Sequence, residues 1–250
     1  MGITISGGLN IAGGMSISPP PAAPVDPYLA NVSLLSSLTG TVGAAPTVDL
    51  TNNSSSLIGF GTAPTISNLQ SKWSTTSLYY PSSGTGAYAD SVSPPVNTDL
   101  TIEAWLYPVS NGNRRTFFGN SQYNNNNGPG MIVWLTDAGE LQAFDNYGSN
   151  QRNSGLIASN NAWNHVAYSR VYNGTSWTHY LACNGSVYPF TFPGSAQAGW
   201  AAGQLIYLGA AYSSGLPFYY SGDMNDFRVT VGVARYTSSY TVPTVPFPTS

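Results

Sequence analysis

Charge is scarce in this chain. Only 7% of its 250 residues are Asp, Glu, Lys or Arg, where a typical soluble domain carries ~25%. Lys72 is the single lysine, six arginines are scattered, and the net charge is −3. A nucleic-acid backbone needs clustered cations, so DNA and RNA are excluded as partners. Cys183 is the only cysteine. That rules out an intrachain disulfide and a CxxC metal site, and its place in an apolar run predicts a buried, inert thiol. No apolar run approaches the ~18 residues of a membrane span. The N-terminus has no basic segment leading into an apolar core, so no secretory signal is expected. Helical periodicity never lasts beyond a turn or two. The surface must therefore be built from Ser, Thr, Asn, Gly and Tyr, which suits secreted, fibrous or capsid-like proteins. Without an export signal, release by lysis fits such a surface.

The strongest pattern present is Asp99-Leu-Thr-Ile-Glu-Ala-Trp-Leu-Tyr-Pro108. Leu100, Ile102, Ala104 and Leu106 alternate with Thr101, Glu103, Trp105 and Tyr107, which predicts a strand with one face in a core. Residues 163–170 and 222–230 read as its partners. Further strands are expected at 32–38, 57–60, 77–80, 87–92, 116–118, 130–135, 140–144, 165–171, 178–183 and 204–209. Ala138-Gly139 predicts a hairpin, and Asn173-Gly174 and Asn184-Gly185 predict turns. Short strands broken every ~8–12 residues predict an all-β antiparallel sandwich or barrel. The length suits one large β domain with an appendage.

The appendage is the first 27 residues. Ile3-Thr-Ile-Ser-Gly-Gly8, Leu9-Asn-Ile-Ala-Gly-Gly14 and Met15-Ser-Ile-Ser18 form a short repeat before Pro19-Pro-Pro21. Ile3, Ile5, Leu9, Ile11, Met15 and Ile17 fall at alternate positions, too few to bury against one another. Strand addition to another chain satisfies them; a flexible glycine-rich tail is the other reading. Residues 19–27 read as a semi-extended proline linker. The division is thus 1–27, an arm for assembly, and 28–250, the globular domain.

Several motifs in order carry a family resemblance: Ser77 to Pro81 with Gly86-Ala-Tyr88, then Asp99 to Pro108, Trp163-Asn-His-Val-Ala-Tyr-Ser-Arg170 with Asn184-Gly185, Leu208-Gly209, and Gly222 to Val229. This series resembles laminin-G-like, concanavalin A-like jelly rolls across residues 28–248. The ending, Gly232 to Tyr236 and Pro243 to Pro248, is similar to domains of phage virion proteins, as is the glycine-repeat arm. The resemblance implies a two-sheet antiparallel jelly roll with an extended N-terminal β-arm, binding glycans or proteins without catalysis. The expected role is a virion structural protein, a decoration or tail-fibre module on the particle surface. Its arm would join it to other virion subunits and to copies of itself, with a trimer among the packings allowed. The alternative is a receptor-binding lectin for host polysaccharide, and a polysaccharide hydrolase is the outsider.

A glycosidase needs two carboxylates ~5–10 Å apart, and Glu103 and Glu140, the only glutamates, belong to different strands. Glu103 is expected to be solvated or hydrogen-bonded rather than catalytic. Asp223 and Asp226, three apart on a strand, are expected to face opposite ways. His165 and His179 are the only candidate bases, and each reads as a packed or hydrogen-bonded strand residue. No nucleotide loop appears, and no contiguous acidic loop would hold calcium, so no metal or cofactor is expected. The glycan or protein contacts fall on residues 122–130 and 145–152, where Tyr123, Asn125, Asn126, Asp145, Tyr147 and Arg152 offer rings, amides and one cation, and on Tyr212 and Tyr219. Simple turn formation by Asn and Gly explains the same composition.

Overall fold

The computed structural model describes residues 10–11, 15–16, 25–45, 57–61, 63–81, 85–89, 95, 97–119, 131–145, 150–192, 205–210 and 218–249. Strands are numbered β1 to β17 along the chain. In the arm, β1 (Asn10–Ile11) and β2 (Met15–Ser16) form a small antiparallel pair. The rest is a sandwich of two antiparallel sheets.

The larger sheet is centred on β8 (Leu100–Pro108), flanked by β13 (Asn164–Tyr172) and β17 (Ser221–Val231), the two partners expected from the sequence. Beyond β13 lie β14 (Trp177–Cys183) and β15 (Ser186–Phe190); beyond β17 lie β6 (Ser77–Pro81) and β5 (Thr65–Ser67), with β3 (Val32–Ser36) also on β17. The smaller sheet runs β12 (Asn150–Ile157), β11 (Glu140–Asp145), β10 (Met131–Leu135), β9 (Arg115–Gly119), β16 (Ile206–Leu208), β7 (Thr85–Ala89) and β4 (Leu57–Gly61).

Alternation on β8 does what its pattern requires. Leu100, Ile102, Ala104 and Leu106 enter the core between the sheets with Val133, Leu141, Tyr168, Leu208 and Phe227. Trp105 faces the other way and joins Val32, Leu35 and Phe247. The outer face of the larger sheet is therefore roofed by segments from both ends of the domain, with Tyr236 over Ala167 and Ala182.

Strand β17 breaks its own period. Asn225 pairs with Trp105 but Arg228 with Glu103, so a bulge intervenes, and Asp226 sits there at φ 47. The expectation that Asp223 and Asp226 face opposite ways fails for this reason. Asp223 shares register with Tyr107 on the outer face. Asp226 accepts the N–H of Phe247, which packs with Trp105 on that face. They remain apart functionally, since Asp223 pairs with the Ser77 hydroxyl instead.

The bulged strand also passes very near β8. At Gly222, φ is +123 and a Cβ would stand 2.1 Å from the Tyr107 carbonyl oxygen. Gly222→Ala is expected to destabilise the fold by more than ~2 kcal/mol, read by thermal unfolding.

Three strands were not foreseen. β5 is only three residues long, β15 contains Pro189 at a sheet edge, and β12 opens on five polar residues before Gly155, Leu156 and Ile157. The stretch 145–152, expected to be loop, thus begins in β11 and ends in β12.

Candidate functional site

Glu103, both histidines and Cys183 are held inside the fold. Glu103 is fully buried. Its Oε1 accepts from Arg228 Nε at 2.8 Å, and its Oε2 meets His165 Nε2 at 3.1 Å and the Tyr236 hydroxyl. Burial pushes this carboxyl up, but the Arg228 guanidinium and the His165 contact outweigh it and hold it at about 2. Arg228 and Arg235 both pair with Asp26, at 2.8 and 2.9 Å. His165 reaches Tyr240 with its other nitrogen at 2.7 Å. His179 bonds the Tyr168 hydroxyl at 2.8 Å, and burial depresses it to about 3. Burial likewise raises the Cys183 thiol to about 12, leaving it inert at neutral pH.

Glu140 lies on the outer face of the smaller sheet, as its neighbour Leu141 enters the core. Glu103 lies on the outer face of the larger one. With the sheets ~10 Å apart and the two side chains pointing away from each other, they cannot flank one glycosidic bond. Among the described residues, no group of three or more His, Cys, Asp or Glu side chains is placed to hold a metal ion. No helix among them is long and apolar enough to cross a membrane.

A different set of side chains gathers on the outer face of the smaller sheet. The hairpin at Ala138-Gly139 pairs Trp134 with Gln142, and β12 sets Asn153 beside Gln142 and Gln151 beside Phe144. Because Val133, Leu141 and Ala143 point inward, Ile132, Trp134, Gln142 and Phe144 must point out. Trp134, Phe144 and Ile132 cluster with Phe218. Trp134 Nε1 donates to Gln142 Oε1 at 2.9 Å, which also accepts from Gln151 Nε2 at 3.2 Å. Gln151 donates on to Asn153 Oδ1 at 2.7 Å, while Gln142 Nε2 donates to Glu140 Oε2 at 2.9 Å. Arg114 lays its guanidinium 4.8 Å from the Trp134 ring centre and 5.6 Å from that of Phe218. The result is a ladder of planar amides rising from buried Gln142 to exposed Asn153, rooted on an aromatic bed.

The expected contact residues divide differently. Tyr123, Asn125, Asn126, Tyr147 and Tyr212 lie outside the described residues, as do Ile3, Ile5, Leu9 and Ile17 of the arm; Ile11 and Met15 pair in its hairpin. The strand ends bordering residues 120–130 and 146–149 stand side by side, since Gly119 pairs with Ile132, Met131 with Asp145, and Asp145 with Asn150. Residues 209 and 218 instead flank Phe117 and Thr116, further along β9. Asp145, expected in a loop, ends β11 on the inward side of Ala143 and is 2% exposed. Arg152 also departs from the outer face. It pairs with Ala143, donates to the Thr191 carbonyl at 3.0 Å and lies 5.2 Å from the Phe192 ring. Tyr219 is half-buried beside Phe218.

A family model described as the concanavalin A-like lectin/glucanases superfamily matches residues 82–233, more than half of the chain. The chain belongs to that superfamily. Among solved structures, it resembles domain 4 of AbnA, a GH43 extracellular arabinanase from Geobacillus stearothermophilus solved with arabinotriose. That match has a TM-score of 0.57 and 16% identity, covering 82% of this chain and 94% of the other. It also resembles Trypanosoma rangeli sialidase, with a TM-score of 0.54, 12% identity, and coverage of 80% of this chain and 30% of the sialidase. At such identities the likeness is one of fold. No curated protein sequence matches the chain.

On this concanavalin A-like scaffold, Arg114, Thr116, Trp134, Gln142 and Asn153 fall outside the contact stretches expected from the sequence, while Gln151 falls inside 145–152 and Phe218 between Tyr212 and Tyr219 without being singled out. A signal existed. Pairing Leu135 with Leu141 across the expected Ala138-Gly139 hairpin would have placed Trp134 opposite Gln142 on the outer face, where both are buried. Trp134, Phe144 and Gln142 are themselves buried, so among the described residues the face presents the half-buried Phe218 ring, the amides of Gln151 and Asn153, the Arg114 cation and the Glu140 carboxylate bonded to Gln142.

Proposed function

We propose that the chain is a non-catalytic glycan-binding jelly roll that takes its sugar on the outer face of the smaller sheet. The observation that carries this reading is the Trp134–Gln142–Gln151–Asn153 chain of hydrogen bonds. Planar amides fixed in orientation match the vicinal hydroxyls of a pyranose, and Phe218 and Tyr207, both half-buried, supply ring faces for its C–H groups. The carbohydrate-binding character of the superfamily supports the same class of ligand. A glycan array probed with the full chain should give hits. Gln151→Ala should weaken them about tenfold without lowering the melting temperature, because Gln151 sits at the rim. An array without binding would end this reading.

The finer reading places this module on a virion surface, with residues 1–27 as the assembly arm. The β1–β2 hairpin supports it, because a two-stranded ribbon with alternating Ile, Leu and Met has no stability alone and gains it by joining another sheet. Deleting residues 1–24 is expected to leave a folded, monomeric domain that no longer assembles. Extending the deletion through Pro27 removes Asp26, the shared partner of Arg228 and Arg235. That longer deletion should cost a further ~2–4 kcal/mol of stability. Native mass spectrometry and thermal unfolding of the two deletions read both effects, and an oligomer retained without the arm would count against it.

A further inference from the structure

We propose that the ligand is an acidic saccharide and that Arg114 receives its carboxylate. The inference rests on the glycan-binding reading of this face and adds the chemical class of the sugar.

Arginines in this protein are well satisfied, with one exception. Arg115, Arg152, Arg170, Arg228 and Arg235 each give their guanidinium to at least two oxygen atoms at 2.7–3.1 Å. Among the described residues Arg114 has one polar contact, to Gln151 Oε1 at 3.5 Å, which is too long to count for much. Among the described residues it has no ion pair. Its guanidinium carbon nonetheless lies over two rings, 4.8 Å from the centre of Trp134 and 5.6 Å from that of Phe218. A guanidinium seated on aromatic rings keeps its strong N–H donors for an oxygen ligand and has less rotational freedom to lose. Those are the two properties that make arginine a bidentate carboxylate receptor.

The neighbouring acids are already engaged. Arg114 and Glu140 flank β10 from either side, which places their strands ~10 Å apart. Glu140 turns one oxygen to Gln142 Nε2 and the other to the Gly155 N–H. Asp137, in the hairpin turn, accepts from the Ser110 hydroxyl and the Asn111 and Gly112 N–H groups. Asp145 points inward with Ala143. Among the described residues, no carboxylate of this face is therefore turned towards Arg114. Thr116 shares the outer face, in register with Trp134, and buries a hydroxyl that has no partner among the described residues. It adds a second unanswered polar group two residues from Arg114.

A sugar carboxylate on Arg114 leaves the ring free to extend over Gln151 and Asn153, where neutral hydroxyls meet the amides that buried Gln142 holds in place. Cation and amides thus divide the acidic and neutral parts of one saccharide between them.

The test uses the full chain on an array holding uronate-containing, sialylated and neutral oligosaccharides. The best acidic hit is then titrated alongside its carboxyl-reduced counterpart. The expected result is binding to acidic members, at least ~10-fold weaker for the reduced sugar and weakened by salt. Arg114→Gln should lose at least ~10-fold towards the acidic sugar and little towards the reduced one, and Arg114→Lys should recover part of the loss. Neutral glycans bound without preference for the acid, or acidic binding indifferent to Arg114→Gln, would overturn this inference and leave the glycan-binding reading intact. Binding to no glycan at all would remove both.

Discussion

Glu103→Ala is expected to lower the unfolding free energy by about 3–5 kcal/mol, which for a domain of this size is a fall of roughly 10–15 °C in melting temperature. The size follows from what is left behind rather than from the lost attraction. Arg228 is 4% exposed and His165 fully buried, so both lose a partner they cannot replace with water. Tyr236 loses its acceptor as well. Glu103→Gln should cost less, since an amide oxygen still accepts from Arg228 while Asp26 retains the guanidinium charge. Differential scanning calorimetry of both variants measures the difference. Because this cluster lies on the sheet opposite the proposed sugar face, affinity for a glycan should be unchanged at temperatures where the variants stay folded.

Asp226→Asn is expected to act in the other direction, stabilising the protein at pH 8 by about 2–3 kcal/mol and changing little at pH 3.5. Burial raises the Asp226 carboxyl to about 6, against a weaker opposing pull from the Phe247 N–H and Arg228. In the unfolded chain the group ionises near its ordinary value of 3.8. Between those values the native state holds a proton that the unfolded state has lost, so raising the pH destabilises the fold until the native group has also ionised. Asparagine keeps an oxygen for the Phe247 N–H, carries no charge and tolerates the left-handed backbone at φ 47. Asp223, raised by burial to about 6, acts with the same sign. His179 acts against them, because a ring held neutral down to about 3 favours the unfolded state as the pH falls below 6.5. The wild-type profile between pH 7 and 4.5 should therefore be shallow, and the Asp226 effect visible only as a difference between variant and wild type.

The fold was legible where period-two alternation met a hydrophobic core. Asp99–Pro108 and its two partners announced the centre of the larger sheet, and the Ala138-Gly139 hairpin fixed β10 against β11. Legibility failed where alternation carried no hydrophobic signal, as in β12, whose Asn, Gln, Arg and Ser residues read as loop. It failed again at the β17 bulge, because an inserted residue resets side-chain parity without leaving a mark in composition. The same limits governed the site. The sequence pointed to Tyr- and Asn-rich segments because loops collect such residues, and it passed over Gln142 and Trp134, which are ordinary strand residues until two neighbours are aligned beside them. Asp145 and Arg152 were chosen for their chemistry, but their parity on β11 and β12 turns them away from the outer face.

The central claim is that sugar binds the outer face of the smaller sheet. Its most direct test is to follow the indole N–H signals of the full chain, labelled with nitrogen-15, while titrating the best glycan from the array. The Trp134 indole donates to Gln142 on that face, whereas Trp73 and Trp105 pack on the opposite sheet. The account predicts a saturable shift of the Trp134 signal, with those of Trp73 and Trp105 unmoved. A titration that moves Trp73 and Trp105 while leaving Trp134 in place would contradict it.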